Sequence, residues 1–529
     1  VAILWLFVVG ALLLRVAWML HHGRGEISWD GAEYARTAQN LLAGHGYIGI
    51  RGHENFVFPP LYSLAIAALL PFTHDGELAG TIVSLIAGAL LVLPAFHLAA
   101  NYGRRAGYAA AGLAAVLPFT VELSTTVLAD ALYLTLATTG LALLARTARG
   151  RRVSDAAWCG AAFAAAYLTR PEGVLFEGLA VAVVIVAALL RTMRPARAGL
   201  LAVALLVPFV VAATPYAWFL SSHAGHLRIE GKSVLNLDIG LRMSRGMDYA
   251  AAADAIDRNL QQVGPELADD YYLDPPGRTA PPLSTLVAFG ASNTLRHVPE
   301  IFAIVKSRTV GGPLLMLLAL LGLACGPWTR RRAGFEAIML AYGALVVLSL
   351  ASVFHFWERY FVGFVPLVLT WGGRGIDVAM LLTARAVPRP RAAVVAIPVL
   401  VGLLLVAAVF SIREGFTDDS TTLAERAAGV WLAAHGGAGA TMLGISDQSV
   451  YYAGGVWVML PTVPDDETAL RYVALRRPAY VILDREYAAD RPYVSAWLDR
   501  GIPDRRAHEV YMLGDRPHPT LAIYAWRSP

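Results

Sequence analysis

A few ionisable residues sit where an apolar chain tolerates them least. Near the start runs Ile27-Ser28-Trp29-Asp30-Gly31-Ala32-Glu33-Tyr34-Ala35-Arg36. A carboxylate held just above a membrane face can take a proton from an attacking hydroxyl or amine, which makes Asp30 a candidate general base. The Asp30/Glu33 spacing also suits a helix start, with Asp30 as N-cap and Glu33 completing a capping-box-like pair. Asp130 lies in Leu128-Ala129-Asp130-Ala131-Leu132-Tyr133, at the end of an apolar run where an uncompensated acid is costly. It either caps a helix and snorkels, or lines the same pocket as Asp30. Arg170, in Tyr167-Leu168-Thr169-Arg170-Pro171-Glu172-Gly173, and Arg359, in His355-Phe356-Trp357-Glu358-Arg359-Tyr360, carry planar forks that grip phosphate oxygens bidentately. Pairing with Glu172 and Glu358 is the alternative.

The elements that must position these residues follow from composition. The chain has 529 residues, 57% hydrophobic and 16% charged, with a mean hydropathy of +0.54. Soluble proteins are about 45–50% apolar and about 25% charged. A disordered chain, a disulfide-stapled secreted domain and an ordinary cytosolic enzyme are excluded. Cys159 and Cys325 both lie in apolar runs and offer no disulfide framework. A net charge of +4 would point to nucleic acid in a soluble protein, but here the arginines flank apolar runs and read as topology signals, so no nucleic-acid partner is expected. Lys232 and Lys306 are the only lysines, a bias that fits a G+C-rich bacterial genome. The first apolar run lacks a small-residue cleavage site after it and reads as a retained span.

A transmembrane helix needs about 20 mostly apolar residues. Eleven spans are expected, near 1–20, 79–100, 106–121, 127–145, 155–169, 173–190, 198–221, 311–328, 334–353, 360–382 and 392–411. The apolar run 59–72 is too short to cross and reads as an interfacial or re-entrant helix. Arg104 and Arg105, then Arg146, Arg149, Arg151 and Arg152, then Arg191, Arg194 and Arg197, then Arg330, Arg331 and Arg332, then Arg385, Arg389 and Arg391 all fall on one side of this map, whereas the short loops of the other side hold Arg170 and Arg359. Cytoplasmic loops are enriched in Arg and Lys. The N-terminus is therefore expected inside, and segments 21–78, 222–310 and 412–529 outside a bacterial plasma membrane. The loop 222–310 is polar, with Lys232, Asp238, Asp248, Asp254 and Asp257. The tail alternates helix and strand patterns: helices over 424–434, 468–475 and 493–499, and strands over 440–443, 479–483, 508–513 and 521–525. The expected organisation is a membrane domain, 1–411, followed by an extracytoplasmic α/β domain, 412–529.

The order of these features resembles the GT-C fold glycosyltransferases of family 39, the group of protein O-mannosyltransferases and of aminoarabinose transfer to lipid A. An acidic motif in the first outer loop precedes a helix opened by Pro59-Pro60-Leu61-Tyr62. An Asp in the next outer loop, a T-R-P-E-G turn, an E-R-Y-F turn from Glu358 to Phe361 and an outer α/β tail follow. The resemblance covers nearly the whole chain and is weakest over 222–310. It implies a polyprenyl-phosphate-linked sugar donor, with Asp30 as base, Asp130 as the second acidic position beside Glu33, and Arg170 on the donor phosphate. Relatives often carry Lys or Arg directly before the Pro-Pro pair, and here that residue is Phe58. The phosphate then falls to Arg170, Arg359, Arg51 or Lys232. Trp29, Tyr34, Pro59, Pro60, Tyr62, Glu172, Glu358 and Tyr360 are the expected lining of the substrate pocket.

The implied reaction is a single, inverting displacement at the sugar's anomeric carbon by an acceptor that is protein, lipid or glycan. The leaving polyprenyl phosphate gains charge that a fixed arginine stabilises. No Walker or Rossmann phosphate loop and no His/Cys metal spacing occurs, so no cofactor is obligatory, although a divalent cation between Asp30 and the phosphate stays open. The rival readings are a lipid or small-molecule transporter or flippase, which also needs buried charge, and a non-catalytic membrane protein whose tail binds glycan.

Overall fold

The computed structural model describes residues 2–23, 25–249, 252, 282–306, 312–351, 358–386 and 423–527, apart from Pro464, Tyr487 and Asp490. The expected span 392–411, and Asp254, Asp257, His355, Phe356, Trp357, Arg389 and Arg391, lie outside the described residues.

The first part of the chain is helical throughout: α1 (Ala2–His22), α2 (Trp29–Leu42), α3 (Leu61–Thr73), α4 (Gly76–Leu90), α5 (Val92–Ala99), α6 (Arg104–Val116), α7 (Pro118–Thr125), α8 (Asp130–Gly150), α9 (Val153–Tyr167), α10 (Gly173–Leu189), α11 (Pro195–Ala224), α12 (Ser233–Met243), α13 (Leu283–Lys306), α14 (Gly312–Ala324), α15 (Arg330–Leu350), a 3-10 turn (Glu358–Phe364) and α16 (Val365–Ala386). A helix occupies each expected span up to 382. Among the described residues, six helices are long and apolar enough to cross a membrane, and seven if the bent pair α6 and α7 counts as one span. One of the eleven expected spans, 392–411, lies outside the described residues, and three others are short helices. At 1.5 Å per residue the 15 residues of α9 reach about 22 Å, short of a hydrocarbon core of about 30 Å. Helices α10 and α14 fall short similarly. The protein is a multi-pass membrane protein.

The 49° bend between α6 and α7 sits at Pro118, which has no N–H to donate to the carbonyl of Ala114. Arg15 of α1 supplies donors instead. Its guanidinium, fully buried, reaches the carbonyls of Ala114 at 3.1 Å, Ala115 at 2.9 Å and Thr120 at 3.3 Å. A cation inside the bundle is thus balanced by the carbonyls that the break exposes.

The tail forms α17 (Ala424–Ala434), β1 (Thr441–Gly444), α18 (Gln448–Ala453), β2 (Val456–Met459), α19 (Asp466–Arg476), β3 (Tyr480–Asp484), α20 (Pro492–Arg500), β4 (Ala507–Leu513) and β5 (Leu521–Trp526). Its sheet has the order β2-β1-β3-β5-β4, with β1 parallel to β2 and β3 and with β5 antiparallel to β3 and β4. The short pieces α18 and β2 escape sequence reading because six and four residues carry too little periodicity. They are also the pieces that dock on the first loop. Gln448 donates to the carbonyl of Ile27 at 2.6 Å, and the Trp457 backbone N–H donates to Ile50 at 2.9 Å. Arg426 pairs with Glu77 at 2.6 Å. One buried apolar cluster runs from Ile27, Tyr34 and Tyr62 to Val450, Trp457 and Ile523, so the α/β domain sits on the end of the bundle that carries Asp30.

Candidate active site

Helix α2 starts two residues earlier than its acids suggest. Ser28, with φ −68° and ψ 160°, is the N-cap, and its hydroxyl oxygen accepts from the Gly31 N–H at 3.1 Å. Its own hydroxyl donates to Val127 at 3.2 Å. Asp30 is therefore not the cap, and it is left in the first turn with its carboxylate available for other partners. Gly31 allows the close packing this needs, because a Cβ there would lie 2.6 Å from the Val127 carbonyl. Glu33 does not close a capping box either: it turns back to the loop and accepts from the Ile50 N–H at 3.0 Å.

Four other segments bring their charges to Asp30, Lys232 before α12 among them. Asp130 opens α8 without capping it. Arg170 lies in the turn between α9 and α10, held by its own N–H to Ala166 at 2.8 Å and closed by the Gly173 N–H to the Arg170 carbonyl at 3.1 Å. Gly173 is required here, since a Cβ would lie 2.2 Å from the Tyr167 nitrogen. The N–H of Leu61, first residue of α3, donates to Leu168 at 2.8 Å, which sets the Pro59-Pro60 segment against this turn. Arg359 comes from the 3-10 turn before α16.

The result is two charge pairs around one cavity of about 60 Å³. Arg359 binds Asp30 at 2.7 Å. Arg170 is ion-paired to Asp130 and reaches Glu172 at 3.2 Å. Tyr133 and Tyr360 lie against the Arg170 guanidinium at 5.4 and 5.9 Å from the ring centres. Tyr34, Phe58, Pro59, Lys232 and Asn236 also line the cavity. Lys232 stands over the Phe58 ring at 4.9 Å, so a basic group lies beside the position directly before Pro59-Pro60 although residue 58 itself is aromatic. Three acids, Asp30, Asp130 and Glu172, face three bases, Arg170, Lys232 and Arg359.

These neighbours divide the two acids of α2. Burial works to raise the Asp30 carboxyl, but Arg359, Lys232 and Arg170 outweigh it and hold the group below the usual carboxylate range. About a quarter of that side chain, 24%, stays accessible, enough for a substrate group to reach it. Burial raises the Glu33 carboxyl, and the Ile50 N–H and Arg51 only partly offset it. Asp447 of the α/β domain is pushed well up, by burial and then by the charge of Glu33. Burial also works to raise the Glu172 carboxyl, but Arg170 outweighs it and holds the group low.

Of the residues singled out in the sequence, Asp30, Tyr34, Pro59, Asp130, Arg170, Glu172, Lys232, Arg359 and Tyr360 line this cavity. The others are placed elsewhere. Arg51 stacks on Trp457 at 4.3 Å, and Trp29 meets the same ring edge-on at 6.1 Å. Tyr62 is fully buried, with its hydroxyl on Gly80 and Ser84 at 3.0 and 2.8 Å. Pro60, Glu358 and Glu33 lie outside the lining. Asn236 and Asp447 escaped the sequence reading. The four-residue spacing of Lys232, at the N-cap of α12, and Asn236 in its first turn was the available signal for the first. Nothing local marks Asp447. Among the described residues no group of three or more His, Cys, Asp or Glu has metal-binding spacing.

Against known proteins, the sequence model of the dolichyl-phosphate-mannose-protein mannosyltransferase family matches residues 58–214, a segment that includes Asp130, Arg170 and Glu172 but not Asp30. No curated protein sequence matches the chain. The structure superposes on the oligosaccharyltransferase of Archaeoglobus fulgidus in complex with Zn and sulfate, with a TM-score of 0.62 and 13% identity over 98% of this chain and 73% of the other. It superposes also on the archaeal oligosaccharyltransferase AglB of the same organism in complex with an inhibitory peptide and a dolichol-phosphate, with a TM-score of 0.60 and 12% identity over 99% and 74%. ArnT from Cupriavidus metallidurans bound to undecaprenyl phosphate gives a TM-score of 0.54 and 14% identity over 98% and 97%. The helical bundle with its terminal α/β domain therefore has the GT-C fold, and the chain is a GT-C membrane protein similar to glycosyltransferase family 39.

Proposed function

We propose that the protein is an integral membrane glycosyltransferase that moves a sugar from a polyprenyl-phosphate donor to an acceptor. The observation that carries this reading is the convergence of a half-buried Asp30, its carboxyl held low, with Arg359, Arg170 and Lys232 on one cavity at the end of the spans. A base and a phosphate-holding cluster within one small volume are the parts this transfer needs. The neighbours with undecaprenyl phosphate and dolichol-phosphate bound support the donor class.

In this reading the Asp30 carboxylate accepts the acceptor's proton as its oxygen attacks the anomeric carbon. The bond from that carbon to the donor phosphate oxygen breaks, and polyprenyl phosphate leaves with the electron pair. One displacement inverts the anomeric configuration. Arg170, Arg359 and Lys232 face the leaving phosphate. While Arg359 is bound to Asp30 it holds the base ionised but weak. A phosphate that draws Arg359 toward itself raises the basicity of Asp30 at the moment the base is needed.

A small-molecule pocket is about 300–1,000 Å³, so a cavity of about 60 Å³ must widen to admit a sugar phosphate. Arg15, a charge inside the bundle, is bound to fixed backbone carbonyls, whereas Asp30, Asp130, Glu172, Arg170, Lys232 and Arg359 meet on one cavity at one end, which supports surface chemistry over transport. Asp30 and Asp130 each already hold an arginine, so the charge balance supports a reaction that needs no metal, and chelation by EDTA is expected to leave the rate unchanged.

The test is transfer by the purified protein in vesicles supplied with polyprenyl-phosphate sugars. Polyprenyl phosphate should be released one for one with glycosylated acceptor, and the new bond should have the opposite anomeric configuration. Retention of configuration would refute single displacement. Transport of intact donor without glycosidic cleavage would refute the enzyme reading.

A further inference from the structure

Helix α8 has a second cavity at its other end. With 21 residues it separates the two by about 30 Å. This cavity, about 1280 Å³, lies between the end of α8, the last turns of α10 and the first half of α15. Its walls are apolar: Leu179, Val183 and Val186 of α10 face Phe335, Ile338 and Ala341 of α15. Its rim is basic, with Arg149 from α8 and Arg330 and Arg331 from the start of α15.

Among the described residues no acid lines the cavity, and the charge there is not fully balanced. Two further arginines on it are neutralised: Arg332 pairs with Glu336 at 3.2 Å, and Arg374 with Asp377 at 2.6 Å. Arg330 and Arg331 make no ion pair or hydrogen bond among the described residues. Arg149 donates to the Ala145 carbonyl at 3.2 Å and is repelled by Arg331 and Arg146, a repulsion that Asp155, paired with Arg146 at 2.9 Å, offsets only in part. The first turn of α15 holds no acid, so Arg330 and Arg331 also oppose the positive end of that helix, which Thr329 caps. An anion would relieve all of these repulsions together.

The shape limits which anion. The volume exceeds the usual range for drug-sized ligands, and a small inorganic anion would leave the apolar walls facing water. From Leu190 up to Leu179 the lining of α10 runs about 16 Å, close to half of a hydrocarbon core of about 30 Å, which is the depth of one leaflet. Basic pockets between spans suit lipid headgroups. We propose that this cavity binds an anionic phospholipid, its phosphate on Arg149, Arg330 and Arg331 and an acyl chain laid between α10 and α15. The site is separate from the Asp30 cavity and does not rest on the transferase reading.

The test is a titration of the full-length protein in detergent with dioleoyl phosphatidylglycerol, dioleoyl phosphatidylcholine or inorganic phosphate, with bound lipid counted by native mass spectrometry. Phosphatidylglycerol should bind saturably, one per chain, and about tenfold or more tighter than phosphatidylcholine. The pair Arg330→Gln and Arg331→Gln, both exposed, should weaken it about tenfold or more. The pair Arg152→Gln and Arg194→Gln removes the same charge from the same end outside the cavity and should leave it unchanged. Ala182→Trp fills the apolar wall without touching charge and should also weaken it. Equal binding of the two lipids, equal loss from both arginine pairs, or displacement of phosphatidylglycerol by inorganic phosphate at comparable concentration would overturn the proposal.

Discussion

Arg359 holds Asp30 at 2.7 Å, joining the turn before the last described span to the first turn of the first loop helix. The contact places a carboxylate with an ionised ground state beside a guanidinium that a phosphate can claim.

Asp30→Asn removes the base while keeping size. General-base losses run about 10²–10⁴-fold, so transfer should fall by about that factor while the protein still folds, with a lowered melting temperature from the lost Arg359 pair, and still binds lipid. Measurement of initial rates with saturating donor checks it. Full transfer by the variant would sink the assignment of Asp30.

Arg359→Gln removes the main neighbour holding the Asp30 carboxyl low. A carboxyl held below its usual range keeps its charge as pH falls, so the acid limb of the rate profile should lie low in the parent and move upward in the variant. Stability follows the same sign. The stabilisation from ionised Asp30 is fully present above its unfolded value near 3.9 and lost as pH falls through the folded value; the variant should lose it at higher pH. An acid limb that does not move would count against the pairing.

Arg170→Ala leaves Asp130 buried without its cation and removes a fork from the cavity. The donor concentration needed for half-maximal rate should rise about tenfold or more, and the fold should weaken by about 3–5 kcal/mol. Arg170→Lys, a point charge that cannot span Asp130 and Glu172 together, should recover only part of both. Unchanged donor dependence in the alanine variant would argue against a phosphate role.

Ser28→Ala deletes the cap of α2 and should cost about 1 kcal/mol, read as a lowered melting temperature. Asp30→Ala should not reproduce that loss through the cap, because the Gly31 N–H is bonded to Ser28. A larger capping loss from position 30 than from position 28 would reverse the assignment.

The α2 start shows how far local rules reach. A short polar side chain followed by acids marks a helix beginning, and the sequence signal is real; whether Ser28 or Asp30 takes the N–H depends on where Val127 lies, since its carbonyl receives the Ser28 hydroxyl and leaves room for no more than a glycine at 31. Arg51 shows the opposite case. Its charge and its place in the first loop are legible, but Trp457, from β2 of the α/β domain, draws it from the cavity.

The membrane class and the helix at each described span were legible in the sequence, because hydropathy is a property of the chain read in order. The sequence also marked Asp30, Asp130, Arg170 and Arg359 as the charges in want of a reason. Which charge meets which came from the packing: Asp30 with Arg359, Arg170 with both Asp130 and Glu172, and Lys232 over the ring of Phe58. It alone uncovered Arg15 on the carbonyls of the Pro118 break. Pairing of charges depends on distances of a few ångströms between residues far apart in sequence, and those distances are set by how whole helices pack.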